Sequence, residues 1–286
     1  MKRLLVILLA LAMVFALAAC GGNEEGNTSA PAESAAPAES VPAESAAPAE
    51  SVPAEESVPE TDIFAKSEGV MTYAEYEAAA IDSAVVIETF IQDKQGWWEN
   101  EGVGVATFYT QDNEGGYFLY NMPCSKEDYD ALVKGTKIKV TGFKSEWSGE
   151  IEITDAAYVV EEGTYVAEAF DVTELIGTGD LAKRMNTFAV IKGATVEAVG
   201  QDENGADAAW FYKWNGSGKE GDDLYFKINV NGVSFTVTVE SYLCGPDTEV
   251  YQAVKELKIG DNIDLEGFLY WYNGAQPHVT KVTVNG

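Results

Sequence analysis

The fold is decided by a stretch that occurs twice in this chain: GTKIKVTGFKSEWSG at residues 135–149 and GDNIDLEGFLYWYNG at residues 260–274. Both copies are fifteen residues long, with glycine at positions one, eight and fifteen and phenylalanine at position nine. The alternation of polar and apolar residues in Lys-Ile-Lys-Val is typical of a strand. The recurrence indicates an internal duplication, and two copies predict two similar domains.

Working outward from the first copy, the sequence predicts five strands and a short helix. Runs of β-branched and aromatic residues predict the strands, and residues 111–116 have the composition of a hairpin turn. The predicted strands are residues 84–92, 103–110, 117–122, 137–143 and 150–154, the last continuing irregularly to 160. A helix over residues 125–133 lies between the third and fourth strands.

The same order of elements returns around the second copy. Asn231-Gly232 is the strongest two-residue hairpin signal in the chain. Strands are predicted at 187–198, 224–230, 233–240, 262–268 and 278–284, with a long loop at 199–223 and a helix over 247–257. Five strands with a helix between the third and fourth describe the OB-fold. The sequence therefore predicts an all-β chain with short helices, in which two tandem five-stranded Greek-key OB-fold barrels occupy residues 65–162 and 163–286.

The chain begins with a pattern typical of a secretory signal. Lys2 and Arg3 precede an apolar run that leads into Leu-Ala-Ala-Cys at residues 17–20. The LAAC string is similar to a bacterial lipobox, so we expect a signal peptide over 1–20 and a lipid on Cys20. This would anchor the protein at the extracytoplasmic face of the membrane. The run is shorter than the roughly 20 residues of a membrane span, and a cleaved signal with unmodified Cys20 is the other alternative.

Residues 21–64 are expected to form a disordered tether. APAES and VPAES units repeat along this segment, which is rich in Pro, Ala, Glu and Ser. Such a composition buries too little apolar surface to fold. The tether would hold the folded part away from the membrane.

The chain is strongly acidic, with a formal net charge of −29. Ten of its 47 acids lie in residues 21–62 and two of its 18 bases precede them, which leaves 37 acids and 16 bases beyond, a net charge of −21. A surface of this charge repels phosphate backbones. We therefore expect nucleic acid to be an unlikely partner and the protein to be a soluble monomer.

Two cysteines remain besides Cys20. If the protein is extracytoplasmic, Cys124 and Cys244 could form a disulfide. The other interpretation is that both are buried free thiols. The second is favoured, because equivalent positions in two separate barrels are not expected to approach within the Cα separation of about 4.4–6.8 Å that a disulfide requires.

The six tryptophans all fall in two kinds of loop, those between the first and second and between the fourth and fifth predicted strands. These loops flank the ligand groove of an OB-fold. The candidate ligand-binding residues are Trp97, Trp98, Trp147, Trp210, Trp214, Tyr270, Trp271 and Tyr272. Alternatively, the tryptophans plug the open end of each barrel or pack between the barrels. Trp97, Trp98 and Trp147 are expected to line one patch, with Trp97 and Trp98 pointing opposite ways.

The sequence contains no motif typical of a metal site or of a catalytic site. His278 is the only histidine, so His and Cys cannot form a zinc site. The acidic loop at 202–207 lacks the ligand spacing of a calcium-binding EF-hand. No Ser-His-acid or Cys-His set stands out. We expect no metal, no cofactor and no enzymatic activity.

Several segments resemble one family of proteins. FYTQDNEGGYFLYN at 108–121, followed by GTKIKVTGF, resembles OB modules of secreted bacterial proteins. The wider pattern from MTYAEYEAAA at 71–80 to KSEWSGEIEIT at 144–154 resembles uncharacterised OB-fold-containing lipoproteins of gram-positive bacteria. The resemblance covers the first module better than the second. It implies a fold and a location, and no activity.

The function expected from the sequence is a lipid-anchored, non-catalytic binding or scaffold protein at the cell surface. The loop aromatics would bind an uncharged glycan or a protein partner. The alternative is a structural or accessory subunit of an envelope complex that binds no ligand. Nucleic-acid binding is placed below both, because the loops supply no basic track.

Overall fold

The computed structural model describes residues 62–286. The expected signal peptide, the lipidation site at Cys20 and the tether up to residue 61 lie outside the described residues. Among residues 62–286, none of the helices is long and apolar enough to cross a membrane.

The first half contains two helices and six strands. They are α1 (Tyr73–Ala78), β1 (Ala84–Lys94), β2 (Trp98–Asn100), β3 (Val103–Gln111), β4 (Gly116–Pro123), α2 (Lys126–Ala131), β5 (Thr136–Trp147) and β6 (Glu150–Thr164). Strands pair in the order β1-β5-β6-β4-β3, and β1 also pairs with β3, which closes the ring. β4 and β6 run parallel, with Phe118 opposite Glu152.

The second half repeats this arrangement. It contains β7 (Phe170–Asp171), β8 (Phe188–Glu197), β9 (Gly200–Gln201), β10 (Asp207–Ala208), β11 (Trp210–Tyr212), β12 (Leu224–Val230), β13 (Val233–Val239), α3 (Glu249–Lys255), β14 (Asn262–Phe268) and β15 (His278–Val284). Two 3-10 turns, Thr173–Leu175 and Leu181–Arg184, lie between β7 and β8. The ring β12-β13-β15-β14-β8 is closed by pairing of β12 with β8, and β13 runs parallel to β15.

The two rings have the strand order of the OB-fold, so the prediction of two tandem OB-fold barrels is confirmed. The core of each barrel is formed by alternate residues along the strands, as in β12, where Leu224, Phe226 and Ile228 are buried. The division at 162/163 stays a prediction, and β6 extends two residues beyond it.

The shared glycines of the repeated stretch have a structural cause. A Cβ atom on Gly142 would lie 2.6 Å from Ile153 Cγ2, and one on Gly267 would lie 2.2 Å from the His278 carbonyl oxygen. Both glycines lie where the pairing to the fifth barrel strand changes register. Position eight of each copy is therefore a bulge that only glycine fits.

The expected long loop at 199–223 is partly strand. Three short strands form there, and β11 pairs with the edge of β12, with Phe211 opposite Tyr225. Residues 224–226 of β12 lie outside its pairing with β8, and residues 210–212 pair with the backbone groups left open there.

The barrels pack against each other through aromatic rings. Tyr109 of the first barrel stacks on Phe268 of the second, with ring centroids 4.5 Å apart. Hydrogen bonds also cross the interface: the Trp271 amide donates to Glu150 Oε2 (2.8 Å), and the Phe188 amide donates to Gln111 Oε1 (2.7 Å). Both barrels belong to one compact unit.

Cys124 and Cys244 are free, buried thiols, in agreement with the favoured interpretation. Cys124 follows β4 and Cys244 follows β13, so the two occupy equivalent places in the two barrels. Burial raises the pKa of both thiols, which suppresses the reactive thiolate.

Candidate ligand pocket between the two barrels

A cavity of about 580 Å³, here called the main pocket, opens where the second barrel meets Trp147 of the first. It is lined by Trp147, Trp214, Asp223, Tyr225, Thr238, Glu240, Tyr270, Tyr272, Gln276 and His278. Apart from Trp147, these residues belong to the second and third barrel strands, the fifth strand and the two flanking loops. This is the face on which OB-folds bind ligands.

The floor of the main pocket is a row of side chains across three strands. The Asn231-Gly232 hairpin places Tyr225 of β12 opposite Thr238 of β13, and Thr238 lies opposite His278 of β15. Thr238 Oγ1 is buried and has no hydrogen-bond partner within the described residues. A buried hydroxyl without a partner is costly, and this one belongs to a residue that lines the cavity.

The wall of the main pocket is aromatic. Trp147 ends β5, is 53% exposed, and lies 5.2 Å from Tyr272 between ring centroids. Tyr270 stacks on the imidazole of His278 at 4.1 Å. Trp214, on the loop before β12, is 75% exposed. Exposed rings beside a cavity offer faces for stacking or for a cation.

Two carboxyl groups reach the same cavity. Asp223 accepts hydrogen bonds from the Ser241 amide (2.9 Å) and hydroxyl (2.7 Å). Glu240 accepts from the Leu243 amide (2.9 Å). Burial, reinforced by the nearby charge of Asp223, raises the pKa of Glu240 to about 7. Glu240 therefore titrates near neutrality.

His278 contributes no positive charge to the pocket. It is buried, and burial lowers its pKa to about 3, so the ring is neutral. Gln95 Nε2 donates to the Tyr109 hydroxyl (3.0 Å), which in turn lies 2.6 Å from His278 Nδ1. The Tyr109 hydroxyl thus links Gln95 to the imidazole of His278.

Two smaller cavities continue the main pocket along the barrel interface. A bridging cavity of about 260 Å³ shares Trp147, Glu240, Tyr270 and His278 with it and extends to Gln95 and Tyr120. A side pocket of about 330 Å³ then reaches Trp98 and Tyr242. The three cavities form a groove that follows both barrels.

The structure brings four of the eight candidate residues into the main pocket: Trp147, Trp214, Tyr270 and Tyr272. Trp210 and Trp271 pack against the core of the second barrel instead. The indole of Trp210 donates to the Lys255 carbonyl (3.1 Å), which fixes its orientation.

The prediction of one patch containing Trp97, Trp98 and Trp147 is wrong. Trp97 packs on the core of the first barrel, and its indole donates to the Cys124 carbonyl (3.0 Å). Trp98 points the opposite way, is 47% exposed and lines the side pocket. Trp147 lies just before a two-residue turn, and its ring contacts Tyr272 of the second barrel.

Sequence reasoning missed six residues of the main pocket: Asp223, Tyr225, Thr238, Glu240, Gln276 and His278. A usable signal existed for two of them. The Asn231-Gly232 turn fixes the register of its hairpin and thereby pairs Tyr225 with Thr238. The contribution of Trp147 from the other barrel had no local signal.

Within residues 62–286, no group of three or more His, Cys, Asp or Glu side chains is placed to hold a metal ion.

No protein-family model matches this chain, and no curated protein matches it. Solved structures with a similar strand arrangement include a murine DNA-binding protein bound with double-stranded DNA, at 14% identity and a TM-score of 0.32, covering 70% of this chain and 96% of that one. The Ifi202 HINa domain in complex with double-stranded DNA is 13% identical, with a TM-score of 0.30 and coverages of 71% and 98%. A replication protein A heterotrimer bound to single-stranded DNA is 10% identical, with a TM-score of 0.29 and coverages of 73% and 51%.

The titles of these three structures name DNA as the ligand. This finding contradicts two expectations from the sequence: that the ligand is a glycan or a surface protein, and that nucleic acid is an unlikely partner. Both are withdrawn. The first rested on the aromatic residues of the loops, and the second on the net charge and on the lack of a basic track in those loops. TM-scores of about 0.3 do not transfer a ligand to this chain.

Proposed function

We propose that the described part of this chain is a non-catalytic ligand-binding protein whose ligand occupies the main pocket. The observation that carries the proposal is an aromatic-walled cavity whose lining includes two carboxyl groups and the buried, unpartnered side chain of Thr238. A cavity of about 580 Å³ is within the size range of small-molecule sites. Its position corresponds to the ligand face of OB-folds.

Single-stranded nucleic acid is a second candidate, favoured by the exposed rings along the groove. Trp98, Tyr120 and Tyr242 lie beyond the bridging cavity from Trp147. Stacking of a base on an exposed aromatic ring contributes about 1–3 kcal/mol.

Tryptophan fluorescence tests the proposal, because Trp147 and Trp214 line the cavity and are exposed. The full chain is titrated with a set of small aromatic and cationic molecules and with a single-stranded oligothymidylate. We expect a saturable change that Trp147→Ala removes. Trp98→Ala is the matched control, since this tryptophan is similarly exposed but lies outside the main pocket.

The outcomes separate the candidates. Loss of oligothymidylate binding in both variants supports nucleic acid along the whole groove. No saturable response to any probe, in both wild type and variants, contradicts the proposal.

We further propose that the protein is attached through a lipid on Cys20 at the extracytoplasmic face of the membrane. The support is the LAAC string after a basic and apolar leader, together with the resemblance to gram-positive OB-fold lipoproteins. Mass spectrometry of the mature N-terminus should find an acylated Cys20. Identical membrane association of a Cys20→Ala variant would contradict this.

A further inference from the structure

We propose that the ligand of the main pocket carries an organic ammonium group, held among the rings of Trp147, Trp214 and Tyr272 and close to Asp223 and Glu240. This inference rests on the proposed function and adds the chemical class of the ligand.

The first argument is the charge of the lining. Asp223 and Glu240 both reach the main pocket, and Glu152 lines the adjoining bridging cavity. Among the described lining residues of the three cavities there is no Lys or Arg. His278 is neutral because it is buried. The negative charge of the pocket thus has no positive partner in its wall, and a ligand cation would supply one.

The second argument is the aromatic wall. A cation within about 6 Å of a ring centroid is attracted by the ring face, most strongly by tryptophan. Trp147 and Tyr272 stand side by side with centroids 5.2 Å apart, and Trp214 is exposed on another edge of the same cavity. Rings and carboxyl groups around one cavity are the recognition chemistry of alkylated ammonium groups.

The third argument separates an organic cation from a metal ion. A metal ion needs several oxygen, nitrogen or sulfur ligands at short distance, and the described residues contain no such cluster. The cavity is also much larger than a bare ion, so the ligand has a body besides its charge. The Gln276 side chain can bond a polar group on that body.

The raised pKa of Glu240 agrees with this arrangement. Burial and the nearby charge of Asp223 destabilise the ionised form of Glu240 and so raise its pKa to about 7. A bound ammonium group would offset that cost and hold Glu240 ionised.

The test uses choline and its neutral carbon isostere, 3,3-dimethylbutan-1-ol, as probes in calorimetric titrations of the full chain. Both have the same shape and the same hydroxyl group, and they differ in charge. We expect choline to bind at least tenfold more tightly. Trp214→Ala and Asp223→Asn should each weaken choline severalfold, and Trp214 is so exposed that its replacement leaves the fold intact.

The outcomes distinguish this inference from the proposed function. Equal affinity for choline and the isostere overturns the ammonium assignment and leaves a ligand pocket. Binding of a neutral aromatic probe or of oligothymidylate with no binding of choline does the same. If Trp147→Ala and wild type both fail to respond to every probe, the pocket itself is not a ligand site.

Discussion

Position nine of the repeated stretch is phenylalanine in both copies, and the two phenylalanines lie in opposite environments. Phe143 of the first barrel is 46% exposed, whereas Phe268 of the second is 1% exposed and stacks on Tyr109. The copies share the bulge glycine just before this position. The difference therefore comes from the contact between the barrels. The first barrel covers Phe268 of the second barrel, whereas Phe143 stays exposed to solvent.

At position thirteen of the repeated stretch, the aromatic residues of the two copies contact each other. Trp147 and Tyr272 occupy this position in the two copies, and their rings meet at 5.2 Å. In the first barrel Ser148 and Gly149, with φ of 54° and 91°, make a two-residue turn, whereas the second barrel has a loop at residues 269–277. The short turn leaves Trp147 exposed, and the longer loop lets Trp271 pack on the core of its own barrel.

The largest expected effect sharpens the comparison at position nine. Phe268→Ala removes a buried ring from the barrel interface, and we expect it to lower the free energy of unfolding by about 3–5 kcal/mol. Phe143→Ala is the matched control and should cost about 1 kcal/mol or less. Urea denaturation of both variants measures the difference, and equal losses would mean that the interface contributes little.

The next effect concerns Glu150, which crosses the same interface. It is buried, and burial raises its pKa to about 8 while the Trp271 amide favours its charged form. Since the folded pKa lies above the unfolded one, this group's contribution to stability is complete at acid pH, below the unfolded pKa, and is lost as the pH rises towards 8. We expect Glu150→Gln to gain stability relative to wild type between about pH 5 and pH 8. Thermal melts across this range that shift equally in both proteins would contradict the expectation.

The comparison of the loop tryptophans predicts a smaller effect. Trp271→Ala should lower the free energy of unfolding by about 1–3 kcal/mol, because the ring is partly buried against the core. Trp147→Ala should change it by about 0.5 kcal/mol or less, while weakening ligand binding. A large drop in the melting temperature of Trp147→Ala would place this ring among the packing residues and remove it from the ligand site.

The smallest effect is a pH dependence of ligand affinity. Asp223 and the neutral His278 line the main pocket with Glu240, Glu152 lines the bridging cavity with it, and the pKa of Glu240 is about 7. A bound cation favours the ionised carboxylate, so choline affinity should rise severalfold from about pH 6 to about pH 8. Glu240→Gln should flatten this profile. A wild-type affinity that falls with increasing pH would assign the titration to another group.

The barrels could be predicted from the sequence because their determinants are local. The predicted strand 224–230 coincides with β12, and the Asn231-Gly232 turn sets the register of its hairpin. The bulge glycines mark the fourth strand of each barrel in the same way. Each of these signals depends on residues adjacent in the chain.

The main pocket could be predicted only in part. The loops of an OB-fold pointed to Trp147, Trp214, Tyr270 and Tyr272. The meeting of Trp147 with Tyr272 depends on how the barrels dock, and that depends on contacts such as Tyr109 with Phe268, more than 150 residues apart in the chain. Trp97, in contrast, is held on the core by one hydrogen bond to the Cys124 carbonyl, which no spacing rule reveals.

Among the residues that line the main pocket, one comes from the first barrel and the rest from the second. A gene encoding a single barrel would lack the Trp147 wall, and a pair of unlinked barrels would have the wall only when they met. Because both barrels belong to one chain and one compact unit, every molecule contains the Trp147 wall. Tyr272, at position thirteen of the second copy, lines the same cavity as Trp147, so equivalent residues of the two copies meet in one site.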